Sequence, residues 1–368
     1  MFKYLVMSDI HLGHRTNKCK DIISNLEKFF IDYRRDLKNL NVIFLAGDVF
    51  DRLLSTHSTD YILANLWITE LVKMCKTNNI ALRVLEGTPS HDWKQCSVIS
   101  KIIDNLDIDI DYKYIDTLYI EKMDKYGIFV LYVPDEYRSK STDTIKEIKE
   151  YYKKEKIDKV DIAIMHGCFR YQLPIELDSM FKEQDMLDLV NYYISIGHIH
   201  TSSIYDRILA QGSFDRLAHG EEEDKGAMLI AIDKLRGNWY KFLKNNNSKI
   251  FKTITIDSVD IDTIIKEVSK VVNKIKEFSY IRIISNVEHA NLAIKELNKK
   301  YPTITFKLQK SKDVEDKKVK IDLNNNVVIE SISITKDNIE TLLLDCLSKY
   351  KYTKDKLDIF KEELLNAM

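Results

Sequence analysis

The chain has 368 residues, with 56 Lys+Arg against 57 Asp+Glu for a formal net charge of -1. That length holds two domains with an appendage and a sizeable core, and the balanced charge excludes a global basic field, leaving only local patches for nucleic acid. No stretch approaches the roughly 20 apolar residues of a membrane span, residues 1–8 enter a strand without a leader pattern, and five scattered cysteines (Cys19, Cys75, Cys96, Cys168, Cys346) lack a C-x-x-C pair, so a soluble cytoplasmic protein with reduced thiols and no membrane partner is expected.

Apolar runs at 4–7, 42–46, 82–85, 162–165 and 193–196 read as buried strands. Stretches at about 19–37, 58–75 and 142–152 carry apolar residues at helical spacing, as in Ile22, Ile23, Leu26, Phe29 and Phe30. The alternation predicts a layered α/β domain. Short strands at 204–205, 207–211, 227–232 and 239–243 then predict an antiparallel completion of the sheet. The polar run Lys244-Asn245-Asn246-Asn247-Ser248 closes a first domain over 1–245.

Strands at 251–256, 280–284 and 304–308, alternating with helices near 261–275 and 288–297, predict a small α+β domain over 249–312. From 249 to 312 there are 13 Lys+Arg against 7 Asp+Glu, a modest surface for phosphates or simply a solvated face. The charged, Asn-rich 313–331 reads as a linker. In 332–368, two helical stripes (Ile339, Leu342, Leu343, Cys346, Leu347 and Leu357, Phe360, Leu364, Leu365) predict a helix pair that either binds a partner helix or docks on its own domain.

Polar clusters follow the strand-like runs: Asp9-Ile10-His11, Gly47-Asp48-Val49-Phe50-Asp51, Ser90-His91-Asp92, His166-Gly167 and Gly197-His198-Ile199-His200. Ligands bind at that edge of an open α/β sheet. Asp-x-His and His-x-His set two donors at i and i+2, on one side of an extended strand. Carboxylate and imidazole without thiolate favour manganese or iron-type ions, and a two-metal site needs a bridging carboxylate, for which Asp48 is placed after flexible Gly47. His14, His57, His219 and His289 are expected at the surface or beside the ligands, with Asp51 and His14 as neighbours of the metals. Arg52, Arg170 and Arg216 are candidates for phosphate contacts, more simply read as solvated; Trp93 is expected to pack its loop rather than stack on a base.

In order and approximate spacing these motifs resemble the calcineurin-like metallophosphoesterases. His11-Leu12-Gly13 with Gly47-Asp48-Val49-Phe50-Asp51, and Gln211-Gly212-Ser213-Phe214-Asp215-Arg216 running into Gly220-Glu221-Glu222-Glu223-Asp224-Lys225-Gly226, are similar to the SbcD nuclease family, including phage recombination endonuclease subunits, over residues 1 to about 240. The resemblance implies an α/β, four-layer sandwich of two mixed sheets flanked by helices, with a small α+β capping domain and C-terminal helices. It implies two divalent ions, manganese first with magnesium or iron as alternatives. Asp9, His11, Asp48 and His200 would hold one; Asp48, His166 and His198 the other. His91 matches the catalytic histidine that stabilises developing charge or protonates the leaving sugar oxygen. Ser90 stands where the family's Gly-Asn-His motif has an asparagine ligand, and its shorter hydroxyl would be a weaker one.

The implied activities are 3′ to 5′ exonuclease on duplex DNA ends and endonuclease on single strands, in recombination and repair. Implied partners are DNA, an SbcC-like coiled-coil ATPase on the C-terminal helices, and a second copy within a heterotetramer. The rivals are a phosphatase or phosphodiesterase for a small molecule or phosphoprotein, and a non-catalytic scaffold.

Overall fold

Runs with no polar interruption become strands covered on both faces, as parallel sheets require. The computed structural model describes residues 1–309 except 136–137, 234, 257–259 and 286–289; the expected linker and C-terminal helix pair lie outside the described residues. The chain first builds β1 (Phe2–Met7), α1 (Cys19–Asp32), β2 (Val42–Ala46), α2 (Thr59–Thr77), β3 (Ala81–Leu85), the one-turn α3 (Pro89–Asp92), α4 (Val98–Asn105) and β4 (Tyr112–Ile115). It continues through β5 (Tyr119–Met123), β6 (Ile128–Val133), α5 (Ser141–Glu155), β7 (Val160–His166), α6 (Glu183–Leu187) and β8 (Val190–Gly197). Four strands follow: β9 (Ser203–Tyr205), β10 (Ile208–Ala210), β11 (Gly226–Ile232) and β12 (Trp239–Lys244).

Two six-stranded mixed sheets result, ordered β12-β11-β1-β2-β3-β4 and β5-β6-β7-β8-β10-β9. Alternate side chains of each strand enter different cores, the period-2 rule at work. Leu5, Met7, Ile43, Leu45, Leu82 and Val84 pack outward on α1, α2 and α4. Their neighbours Tyr4, Val6, Val42 and Phe44 meet Val130, Tyr132, Ile162 and Ile164 of the other sheet. Leu131, Ala163, Met165, Ile194 and Ile196 face α5 and α6 on the far side. The result is a layered α/β sandwich: helices, sheet, sheet, helices.

The antiparallel completion expected after residue 203 is realised in the first sheet, where β11 pairs antiparallel with β1 and β12 with β11. In the second sheet β10 instead runs parallel to β8. The reversal of direction is absorbed by the short edge strand β9, its antiparallel hairpin partner. Charged groups cross between the sheets: Arg83 of β3 donates from Nε and Nη2 to the two oxygens of Glu121 on β5, both at 2.9 Å, Lys113 of β4 donates to the same carboxylate at 3.0 Å, and Tyr132 Oη at 2.8 Å.

After residue 250 the chain forms a third sheet, parallel β13 (Phe251–Thr255), β14 (Tyr280–Ile284) and β15 (Thr305–Gln309), with crossover helices α7 (Ile261–Val272) and α8 (Ala290–Lys300). Asp260 caps α7 by accepting from the Thr263 N–H at 2.9 Å. Ile264, Val268, Ile281, Ile283, Ala293 and Leu297 give this piece its own core. It nevertheless packs on the larger part within one unit, Met1–Gln309: the Tyr280 hydroxyl donates to the Thr16 carbonyl at 3.0 Å and the Phe251 ring meets His219 edge-on at 5.4 Å. Among the described residues no helix is long and apolar enough to cross a membrane.

Candidate metal centre

Strand ends deliver the donors. β1 runs into Asp9 and His11, β2 into Gly47 and Asp48, β3 into Gly87 and Thr88, β7 ends on His166, and β8 leads to His198 and His200. These strands belong to both large sheets, so the donors meet at a shared edge. The loops are tied together: the Ile10 and His11 N–H groups donate to the Asp48 carbonyl at 2.9 and 3.1 Å, and the His198 N–H reaches both Asp9 carboxylate oxygens at 3.0 and 3.1 Å.

That fixation is strained. Asp9, His11 and Asp48 have φ of 50°, 54° and 51°, and His198 has φ of 101°. Such conformations cost non-glycine residues about 1–3 kcal/mol each and persist where the surroundings impose them. Gly47 has φ of 84°, and a Cβ there would lie 2.2 Å from His166 Nδ1, so only glycine fits between strand and ligand.

The donors form two groups. Asp9, His11 and His200 offer atoms within 4.8 Å of one another, as do Asp48, His166 and His198. Asp48 faces both: its Oδ2 is 3.8 Å from His11 Nε2 and its Oδ1 is 3.3 Å from His166 Nε2. On the outer side each ring meets an acceptor. His200 Nδ1 lies 3.0 Å from Glu221 Oε1, His11 Nδ1 3.3 Å from Asp51 Oδ1, and His166 Nδ1 2.8 Å from the Ala46 carbonyl. The acceptors at Nδ1 of His200 and His166 assign the proton there and leave the Nε2 lone pairs of those neutral rings aimed inward, while His11 Nδ1 makes no hydrogen bond among the described residues. His11 Nε2 and His200 Nε2 then confront each other at 3.1 Å. At that distance the two rings share either a proton, as a hydrogen bond, or a cation. The donor set therefore fits divalent ions, with carboxylates behind the imidazoles raising their basicity.

Electrostatics carry the same imprint. Burial disfavours charge on Asp48, but His166, then His11 and His91, outweigh it and hold the carboxyl well below its usual range. Burial likewise opposes an imidazolium at His166, yet Asp48 overrides it and raises the group to about 10. In the metal-free protein a proton on His166 stands where positive charge is wanted. His200 is also raised, burial being outweighed by Glu221 and Asp9, whereas burial and then the His166 charge lower His198.

The structure does not bring Ser90 to the centre. Ser90 is exposed on α3, and its carbonyl accepts from Trp93 Nε1–H at 2.7 Å. Thr88 takes the place instead. Its N–H donates to Asp48 Oδ1 at 2.6 Å, and its hydroxyl lies 3.2 Å from Asp48 Oδ2, 3.3 Å from His166 Nε2 and 3.2 Å from His198 Nδ1. The reason is local: the inward polar residue comes directly after the strand and Gly87, and the helical turn that follows swings Ser90 outward while returning His91 and Asp92. His91 Nδ1 lies 2.6 Å from the Asp51 carbonyl, which leaves its Nε2 side free. Its ring stands edge-on to His11 at 4.9 Å, and it shares a donor group with His11 and Asp48.

Asp92 is a brace. Its carboxylate accepts the N–H groups of Phe50, Asp48 and Gly87 at 2.8, 3.0 and 2.8 Å, binding two donor loops together. Glu86 beside it accepts from the Lys94 N–H and the Tyr114 hydroxyl, so this third acidic group, which includes Cys96, is spent on the fold. Sequence reasoning did not assign Glu221 or Lys225. Buried Lys225 donates to the His200 carbonyl at 2.8 Å and to Glu223 at 2.6 Å, and lies 3.1 Å from Glu221. The acidic run between Gly220 and Gly226, ending in one lysine, was the available signal.

Other expectations resolve simply. Arg216 is buried and donates to the carbonyls of Glu222 and Glu223, so it holds the loop rather than a phosphate. Arg170 lies 3.5 Å from Glu176, and Arg52 3.7 Å from Asp60. His14 Nδ1 accepts from the N–H groups of Thr16 and Asn17, and His57 is exposed. Burial pushes the Cys168 thiol up to about 11, which makes it a poor nucleophile. Trp93 is 56% exposed, yet its Nε1–H holds its own loop at the Ser90 carbonyl. Cys346 and His289 lie outside the described residues. A cavity of about 420 Å³ opens from Thr88, His166 and His198 toward Asp135 and Cys168.

No family model matches the chain, and no curated protein matches it. Among the solved structures that match, one crystal structure aligns with 66% of this chain and 98% of its own, at 9% identity and a TM-score of 0.39. A likeness at that level carries no argument about function.

Proposed function

We propose that the chain is a two-metal phosphodiesterase of the calcineurin-like type that cleaves DNA, the nuclease partner of an SbcC-like ATPase. The observation that carries the hydrolase reading is Asp48: one carboxylate turned toward two separate carboxylate and imidazole groups, as a bridging ligand must be. Asp9, His11 and His200 would hold one ion with Asp48, and His166 and His198 the other, with the Thr88 hydroxyl at hand. When bound, the ions supply Lewis acidity at phosphoryl oxygen and lower the pKa of water.

The remaining work falls to the protein. Asp51 fixes the His91 ring through its carbonyl on Nδ1, so Nε2 is the atom presented to substrate. From there a protonated ring donates to a non-bridging phosphate oxygen or to the departing sugar oxygen. Glu221 and Asp51 keep the His200 and His11 rings oriented. DNA as substrate is supported by the similarity of Gln211 to Gly226 to the SbcD family, and by the excess of lysine and arginine over 249–312.

Manganese-dependent cleavage of labelled duplex and single-stranded DNA tests the assignment, with His91→Ala alongside. General acid–base groups contribute roughly 10²–10⁴-fold, so His91→Ala should keep bound manganese and lose at least about 100-fold in rate. Hydrolysis of a nucleotide monoester with both DNA substrates left intact, even beside the ATPase, would instead assign a phosphatase.

A further inference from the structure

We propose that Trp93 is a stacking platform for an unpaired nucleobase next to the scissile phosphate; this rests on the DNA-cleaving reading above and specifies how the substrate is gripped. Trp93 and Lys94 follow the His91-Asp92 pair directly, with φ of 49° and 57°. Two successive left-handed residues are unusual, and for a side chain as bulky as tryptophan they are rare. The surroundings enforce them: Trp93 Nε1–H donates to the Ser90 carbonyl at 2.7 Å, and the Lys94 N–H donates to buried Glu86 at 2.7 Å. Apolar packing does not explain the arrangement, because the indole is 56% exposed. The left-handed pair ends α3 at Trp93 and leaves the indole exposed two residues from the proposed catalytic histidine.

That face borders a cleft of about 730 Å³ with Pro89, Ser90, Asp116 and Asp135 on its other walls. Asp135 also lines the 420 Å³ cavity that holds Thr88, His166 and His198, so the cleft adjoins the candidate metal centre. Its polar rim sets three carboxylates, Glu86, Asp116 and Asp135, against one lysine, with Asp116 held by Lys94 Nζ at 3.0 Å and Glu86 by the Lys94 N–H and the Tyr114 hydroxyl. Carboxylates repel a phosphate but tolerate a neutral planar ring, so the phosphate belongs at the metals and the base on the indole. Every base has a π-face, and such a platform grips a single strand without reading its sequence.

The test uses the full chain in EDTA, so that binding is read without cleavage, with a fluorescein-labelled single-stranded deoxyadenylate decamer and its fully abasic counterpart. The variant Trp93→Asn tolerates the left-handed backbone and removes the ring; Trp93→Phe keeps a smaller ring. Loss of one base stack corresponds to about a 5- to 150-fold change in affinity. The wild type should prefer the decamer with bases by a factor in that range, Trp93→Asn should bind both strands alike, and Trp93→Phe should recover much of the preference. Equal binding of both strands by the wild type, or an unaltered preference in Trp93→Asn, overturns the proposal. Base-dependent binding without any manganese-dependent DNA cleavage would overturn the nuclease reading and leave the stacking site standing.

Discussion

Glu221 gives the sharpest test of the proposed metal centre. Its Oε1 lies 3.0 Å from His200 Nδ1, and its Oε2 accepts from the Leu217 N–H and lies 3.1 Å from Lys225 Nζ, both at 3.1 Å. Although burial opposes its charge, His200 and Lys225 hold the carboxyl down at about 2, so it is ionised under all ordinary conditions. Glu221→Gln keeps the shape and an acceptor oxygen but removes the charge that makes His200 a stronger donor. Partners of this kind are worth about 10- to 100-fold in metal affinity, or roughly 1.4–2.8 kcal/mol. Calorimetric titration with manganese should show one class of site weakened by that factor, while the class built on His166 and His198 keeps its affinity. Truncation to alanine is less informative, because Lys225 is fully buried and would lose half of its carboxylate partners. Unchanged affinity at both classes in a variant with wild-type metal-free stability would refute the coupling of Glu221 to the metal.

Two further outcomes follow from charge burial. Arg83→Met strands Glu121, which is 8% exposed and keeps only Lys113 and Tyr132, so thermal or urea unfolding should show a loss of about 3–5 kcal/mol; a loss under 1 kcal/mol would mean the site rehydrates. Metal should remove the pH dependence that His166 creates. His166 is raised from 6.5 to about 10, so its contribution to metal-free stability is complete below about 6.5 and is lost as pH rises through 10. Manganese must displace that proton, so its affinity should rise over the same interval. Melting curves between pH 6.5 and 9 should therefore fall in EDTA and stay nearly level in saturating manganese, and parallel slopes would remove His166 from the ligand set.

The strands most legible in the sequence were those covered on both faces. Tyr4 to Met7 and Val42 to Ala46 must be apolar throughout, and no other element type explains a run so short. β4 and β5 escaped notice because their sequences mix Tyr112, Lys113 and Tyr114 with Glu121 and Lys122, and β6 was missed although its run Ile128–Val133 is apolar throughout. The partners that allow those charges inside, Arg83 for Glu121 above all, come from another strand and leave no local trace. The direction of β10 was hidden for a similar reason. A hairpin fixes β10 against β9, while only the register with β8 decides how the pair joins the sheet.

The donors were legible where a strand end alone dictates their position, and illegible where a loop decides. Counting letters back from His91 points to Ser90, because the motif is read as one rigid string. Counting forward from the end of β3 points to Thr88, as Gly47 and Asp48 follow β2. The second count is the physical one, since hydrogen bonding in the sheet fixes where the strand stops and the four-residue turn Pro89–Asp92 absorbs the extra length. It also removes the objection that a hydroxyl is too short to replace an amide. Thr88 is carried inward by its backbone, whose N–H already grips Asp48 at 2.6 Å, so its short side chain starts where a longer one would have to reach. A residue that anchors the bridging carboxylate through its N–H and faces both imidazoles through its hydroxyl orients the second group of donors even if it never touches the ion.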